Sequence, residues 1–315
     1  MSDIAKADIK DIAGSVALVC ILFGLAVYLP VLGFFFALFI PLPVLYHQVK
    51  LGRMHGMVAS ALSAVAVFIM IGSIGVDLIF FAELLFIGIL LSVFFEKKIP
   101  VEMVVVLTCL AVLGSGAVGL IFYSFTLNQS IGSIVSAYVM RNLELTMALY
   151  KSAGIPEENV RMLSDSLEQI QYVLVRITPA LLTSMTMLVV WANILSAKPV
   201  FAAKGMPYPP FGRLNQWRAP ELLVWLVIGC GGILLLPSRG LKIAGINGII
   251  VLLTIYFFQG IAIVSFFFDK KHFSRIARML LYGLIVLQQL LLIVVIGLGF
   301  FDTWIDFRKL DKNTE

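Results

Sequence analysis

Charge is scarce in this chain: of 315 residues, 13% are Asp, Glu, Lys or Arg, and 61% are hydrophobic. So few charges cannot clothe a soluble domain of this length, and a mean hydropathy of +1.03 excludes an ordinary water-soluble fold. Cysteine is scarcer still. Cys20, Cys109 and Cys230 all lie within apolar runs, without the pairing or the C-x-x-C spacing of a disulfide frame or a zinc site. His47, His55 and His272 are too scattered to hold a metal. The spans carry no Asp pair, no His/Glu zinc signature and no activated Ser, and the chain has no Walker motif. An enzyme, a resident cofactor and an ATPase are therefore not expected. The formal net charge of +5 sits in short loops beside apolar segments, where it sets topology, so no nucleic-acid partner is expected.

What the chain has in abundance is apolar runs of membrane-spanning length. They cover Ile12 to Tyr28, Val31 to Val49, Met57 to Gly75, Val76 to Phe95 and Val101 to Phe122, then Val173 to Ser196, Leu222 to Leu236, Ala244 to Phe268 and Leu280 to Phe301. Hydrocarbon offers no partner for a backbone N–H or C=O, so runs of about twenty residues are helices. The fold class is all-α: a polytopic transmembrane helix bundle of eight or nine spans, forming a single integral membrane domain over residues 1–315. The seventh run is short and glycine-rich, which leaves the ninth crossing and the side of the C-terminus open. Pro30 marks the first hairpin, Pro100 opens the fifth helix, and Pro179 should kink the sixth from within. The first run ends in Tyr28-Leu29-Pro30 without a small-residue cleavage site, so a retained first helix is expected.

Lys and Arg gather on alternate breaks: Lys6 and Lys10, Lys50 and Arg53, Lys97 and Lys98, the Lys198 to Arg218 stretch, and Lys270 to Arg278. That side is expected to be the cytoplasm, with the N-terminus there and a bacterial inner membrane around the chain. The opposite side receives Asp77, the Arg239/Lys242 turn and an insert over 124–172 with three basic and five acidic residues. Within it Val160, Leu163, Leu167, Ile170 and Leu174 recur at helical steps behind Pro156, opposite a face of Glu157, Glu158, Arg161, Asp165 and Glu168. Ile131 to Val139 supplies a partner helix closed by Ala153-Gly154, making an amphipathic helical hairpin between spans five and six. It either packs on itself at the interface, caps a cavity or docks a protein.

Charged groups within hydrocarbon cost at least a few kcal/mol each, so the few present are singled out. Glu83 lies about two turns into the fourth span, and Arg176 near the outer start of the sixth. By depth the two can meet, either as a static ion pair or as part of a small-molecule site. Asn247, Gln259 and Gln288 are the amides that can join them in a polar pocket, and each also suits interhelical hydrogen bonding; Asn193 and Gln289 belong to the same class. Ala111, Ser115 and Gly119, and Ala59 and Ser63, make small-residue stripes for close helix approach, internal or to another subunit. Residues 197–218, with Pro199, Pro207, Pro209 and Pro210, read as an extended cytoplasmic connector. Trp217 and Arg218 then anchor the seventh span, while Asp302, Trp304, Asp306 and Arg308 suit capping or local pairing at the end of the last helix.

Ile177-Thr178-Pro179-Ala180-Leu181-Leu182, Trp217-Arg218-Ala219-Pro220, Ile246-Asn247, Gln259-Gly260 and the Gly299 to Arg308 ending Gly-Phe-Phe-Asp-Thr-Trp-Ile-Asp-Phe-Arg are the motifs that carry a resemblance. Together they resemble the YybS-like bacterial membrane proteins, a domain-of-unknown-function family (number 2232), over nearly the whole chain. The resemblance implies a bacterial inner-membrane location and assigns no chemistry to any motif. At a greater distance the chain is similar to the substrate-binding S components of energy-coupling-factor transporters, which have fewer helices and lack the long insert. Two main readings follow. One is a transporter-like component that holds a small molecule and depends on an ATPase partner subunit for energy. The other is a non-enzymatic scaffold that binds membrane proteins through the outer hairpin and the small-residue faces.

Overall fold

The computed structural model describes residues 2–29, 32–97 and 99–310, with the side chains of 2–8 left aside. Pro30, Val31, Lys98 and the Lys6 side chain, used above to place the first hairpin and the topology, lie outside the described residues. Among the described residues every regular element is helical. In chain order these are α1 (Ser2–Tyr28), α2 (Gly33–Leu38), α3 (Pro41–Ile71), α4 (Val76–Glu96), α5 (Val101–Leu127), α6 (Ile131–Ser152), α7 (Glu157–Asp165) and α8 (Leu167–Ala203). A 3-10 turn (Leu214–Gln216) then leads to α9 (Leu222–Leu234), α10 (Arg239–Lys270), α11 (Arg275–Leu287) and α12 (Gln289–Ile305). The chain forms two compact units. The first holds Met1–Val175 and Met185–Pro210, and the second holds Arg176–Ser184 and Phe211–Glu315.

Among the described residues six helices are long and apolar enough to cross a bilayer, or seven if α11 and α12 together make one crossing. The expected eight or nine spans are not reproduced by this count, for two reasons. Helix α9 has 13 residues, so it reaches about 20 Å of the roughly 30 Å of hydrocarbon. The count also takes the second and third runs together, as one largely helical stretch of 39 residues, Gly33–Ile71, although the chain turns within it. That stretch is not straight. Gly52 has φ 77° and ψ 171°, a backbone state that only glycine adopts without strain. Across it the Gln48 side-chain amide donates to the Ser60 hydroxyl at 3.2 Å, whereas twelve residues of unbroken helix would separate them by about 18 Å. The chain therefore doubles back at Gly52.

In the first unit α3 packs against α1 and α4, and α4 against α5. Leu45, Leu91, Val104, Ile194 and Phe201 are among its fully buried side chains. The edge-on rings of Phe95, Phe201 and Tyr208 hold down the connector that follows α8, and the Tyr208 hydroxyl donates to the Ile194 carbonyl at 2.9 Å. Burial raises the Tyr208 phenol well above its ordinary pKa. The connector itself starts later than its prolines suggest: α8 runs through Pro199 to Ala203, and Gly205, at φ 64°, ends it. Pro179 does not break α8 either, for a reason given below.

The insert forms α6 and α7. Ser130 caps α6 by accepting from the Ser133 N–H, and Pro156 immediately precedes α7, whose first turn carries Glu157 and Glu158. Two side-chain bonds tie α6 down. The Tyr138 hydroxyl donates to Asp77 at 2.8 Å, and the Gln171 amide donates to the Ser136 hydroxyl at 2.9 Å.

The second unit is built on α10, which packs against α9 and α12. Its apolar core joins Ala219, Val224 and Tyr256, with Trp217 and Phe300 packed on them. Closeness comes from Gly260 and Gly299: a Cβ on Gly260 would lie 2.0 Å from the Val295 carbonyl oxygen, and one on Gly299 would lie 2.0 Å from that of Tyr256. Helices α11 and α12 meet at a 101° bend, with Gln288 in an extended conformation between them, so the last apolar run is not one straight helix.

Gly260→Ala should therefore lower stability by about 3 kcal/mol through overpacking against backbone. Gly297→Ala on α12, where a Cβ meets nothing within 4 Å, should be neutral or slightly stabilising. Thermal unfolding in detergent compares the two. A second expectation concerns α6. Burial, and then the Asp77 carboxylate that accepts its proton, raise the Tyr138 phenol to about 12. A raised folded pKa means that the bond contributes fully below the unfolded value of about 10 and is lost as pH climbs from 10 to 12. The difference ultraviolet titration of wild type and Tyr138→Phe should show one phenol ionising late, and the stability gap between them should close over that window.

Candidate functional site

Glu83 is half-buried on α4, where the Ser115 hydroxyl of α5 donates to its Oε2 at 2.9 Å. Its Oε1 lies 3.6 Å from where a Cβ on Gly116 would be, and the Ile79 side chain one turn earlier lies 3.5 Å from the corresponding point on Gly119. The small-residue stripe of α5 is thus the surface that receives Glu83, and it packs within the first unit. Ala59 and Ser63 are also buried within that unit, at 1% and 0% exposure. Among the described residues of this unit no basic side chain pairs with Glu83. Arg176 is half-buried and belongs to the second unit.

The intramembrane amides are engaged with backbone. Asn247 accepts from the Ala180 N–H at 3.0 Å and donates to the Arg176 carbonyl at 2.9 Å, two groups that an undisturbed helix would bond to each other. It sits beside Pro179, which has no N–H, and so steadies α8 where the proline weakens the ladder. This is why the expected kink does not interrupt the helix, and why Ile246-Asn247 and Thr178-Pro179-Ala180 are partners in space. A turn further along, the Thr254 hydroxyl donates to that of Ser184 at 2.9 Å. Asn193, fully buried in the first unit, donates to the Leu38 carbonyl at 2.8 Å, at the end of α2 where the helix breaks before Pro41. Gln288 lies exposed at the α11–α12 bend and does not join the other amides.

Gln259 opens the densest polar cluster. Its Oε1 accepts from the Ala219 N–H at 3.0 Å, and its Nε2 donates to Asp302 Oδ2 at 3.2 Å. That same Oδ2 receives Arg308 at 2.7 Å, while Oδ1 accepts from the Phe307 N–H at 3.1 Å. Both side chains of the Asp302–Arg308 pair have zero exposure. The second terminal guanidinium nitrogen, Nη1, donates to the carbonyls of Asn215 at 2.9 Å and Trp217 at 3.0 Å. A second pair, Arg218 with Asp306, lies alongside. Asp306 has φ 41° and turns the chain at the end of α12, so that Arg308 points back.

Trp217, Arg218, Gln259, Asp302, Asp306 and Arg308 are therefore one clasp joining the connector, α10 and the end of α12. Trp304 stands outside it, 58% exposed and edge-to-face with Phe300 at 5.2 Å between ring centres. Sequence reading gave Trp217 and Arg218 as an anchor, Asp302, Asp306 and Arg308 as capping or pairing locally, and Gln259 as an amide of a polar pocket; it took Ser115 as a packing residue and did not single out Asn215 or Ser184. For Ser115 a signal existed in its place on the small-residue stripe. No group of three or more His, Cys, Asp or Glu able to hold a metal occurs among the described residues.

The profile of a family described as predicted membrane protein (DUF2232) matches residues 17–303. The chain is also similar to the uncharacterized protein YybS of Bacillus subtilis (strain 168), with 22% identity over 311 residues, 94% of this chain and 96% of that one. No solved structure matches.

Removing one charge of the clasp strands the other in a dry setting. Asp302→Asn or Arg308→Met alone should cost about 3–5 kcal/mol. Asp302→Leu combined with Arg308→Met should cost less than either single change. A double mutant as unstable as the sum of the singles, in thermal unfolding, would show that charge pairing is not what the clasp depends on.

Proposed function

The chain belongs to the DUF2232 family of predicted membrane proteins, and from that premise we propose that it is a transporter-like membrane component that binds a small polar molecule. In this reading it is not an enzyme, it lies in a bacterial inner membrane with its N-terminus in the cytoplasm, and an ATPase partner subunit supplies energy. One observation carries it. Glu83 is a carboxylate inside an apolar span whose partner within its unit is a single hydroxyl, which leaves one of its oxygens for a ligand. A carboxylate at such depth costs about 2.5 kcal/mol or more, and groups kept at that cost in membrane proteins mark substrate or ion pathways. Asn247 and Gln259 are engaged within the second unit, with the backbone of α8 and with Ala219 and Asp302, and take no direct part in the Glu83 site.

The scaffold reading draws on a different feature. Leu145, Leu149 and Met162 of the α6–α7 hairpin are 56%, 47% and 65% exposed, a row of apolar side chains on the piece of the chain expected to lie outside the hydrocarbon. A partner protein docked there would cover them.

Native mass spectrometry of the full protein from mild detergent, wild type beside Glu83→Gln, separates the two. The amide oxygen that this substitution introduces can still accept from Ser115, so the fold should persist while the charge is gone. A small mass held by wild type and lost from Glu83→Gln is the expected result. The same small mass on both, or added protein on both with no small ligand, would overturn the binding reading.

A further inference from the structure

A crevice of about 190 Å³ opens between the start of α9 and the end of α12, lined by Glu221, Val224, Trp225, Ile228, Thr303 and Trp304. Its make-up is uneven in an informative way. The walls are two indoles and two aliphatic side chains, and its one charged group is a carboxylate. Among the described residues nothing pairs with Glu221: no Lys, Arg or donor side chain reaches it, although the neighbouring acids Asp302, Asp306 and Asp269 each have an arginine. Trp225 is 69% exposed and Trp304, as noted, is also turned outward, so both rings offer a face. An unpaired carboxylate beside indole faces is the chemistry that recognises an organic ammonium, by direct charge and by cation–π attraction. Leu222 and Leu226 of α9 and Phe301 and Ile305 of α12 are exposed as well, a surface suited to acyl chains.

We propose that this crevice binds the ammonium headgroup of a membrane phospholipid, with Glu221 as its counter-charge, Trp225 and Trp304 as its walls and the acyl chains lying along α9 and α12. The site is independent of Glu83 and does not rest on the transporter-like reading. Phosphatidylethanolamine and phosphatidylglycerol share phosphate and tails and differ in the ammonium, so they are the discriminating probes.

The full protein, delipidated in mild detergent and offered equal amounts of the two lipids, should retain phosphatidylethanolamine over phosphatidylglycerol by about tenfold in native mass spectrometry. Glu221→Gln should bring the two to near parity, and Glu221→Lys should reverse the preference. Glu221 is exposed and touches no core residue by side-chain bonding, so both variants should fold, and unchanged thermal unfolding verifies that. Parity in wild type, or a preference that survives Glu221→Gln, would overturn the proposal. Displacement of the lipid by millimolar free ethanolamine would overturn the lipid source and assign the crevice to a soluble amine.

Discussion

Every backbone N–H and C=O in an apolar surrounding needs a partner, and this chain breaks its own helices in places where the backbone alone cannot supply one. The breaks are chemically specific. Pro179 removes a donor within α8, the α2–α3 junction strands the Leu38 carbonyl, and the connector before Pro220 presents the Ala219 N–H beside α10. At each stands a side-chain amide: Asn247, Asn193 and Gln259. The polar residues of the spans are thus largely explained by the irregular backbone they serve. Glu83 stands apart because its partner is a hydroxyl and no broken helix requires it.

The clasp carries the same logic from amides to charges. An arginine buried to zero exposure needs a counter-ion and several acceptors, and Arg308 has Asp302 together with two carbonyls. Those carbonyls belong to the connector that leads into α9, which at 13 residues is too short to hold itself across a membrane by length alone. Placing α9 therefore depends on polar contacts at its entry and on the Ala219, Val224 and Tyr256 core, more than on hydrophobic length.

Much of the architecture was legible in the sequence because hydropathy reports burial in lipid directly. Runs such as Val76 to Phe95 and Val101 to Phe122 correspond closely to α4 and α5. Hydropathy is blind to direction, however. The bend at Gln288 changes one residue's dihedrals without altering the apolar character on either side, so the sequence could signal it only through a polar pair, whereas the turn at Gly52 falls in the charged break between the second and third runs. The candidate site was legible as residues and illegible as an assembly. Gln259 and Asp302 are 43 positions apart, and Arg308 and Asn215 are 93 apart. Pairings at that separation depend on helix packing, which periodicity does not encode. The Gly260 and Gly299 contacts that bring α10 against α12 explain why those motifs meet.

The clasp also imposes an order of events on biosynthesis. Asn215, Trp217 and Gln259 emerge from the ribosome well before Asp302 and Arg308. Until those later residues arrive, the Asn215 and Trp217 carbonyls lack the Arg308 guanidinium and the Gln259 Nε2 lacks its Asp302 acceptor. Insertion must therefore proceed with this part of the chain held open, by water or by the insertion machinery, and the last helix acts as the latch that closes it.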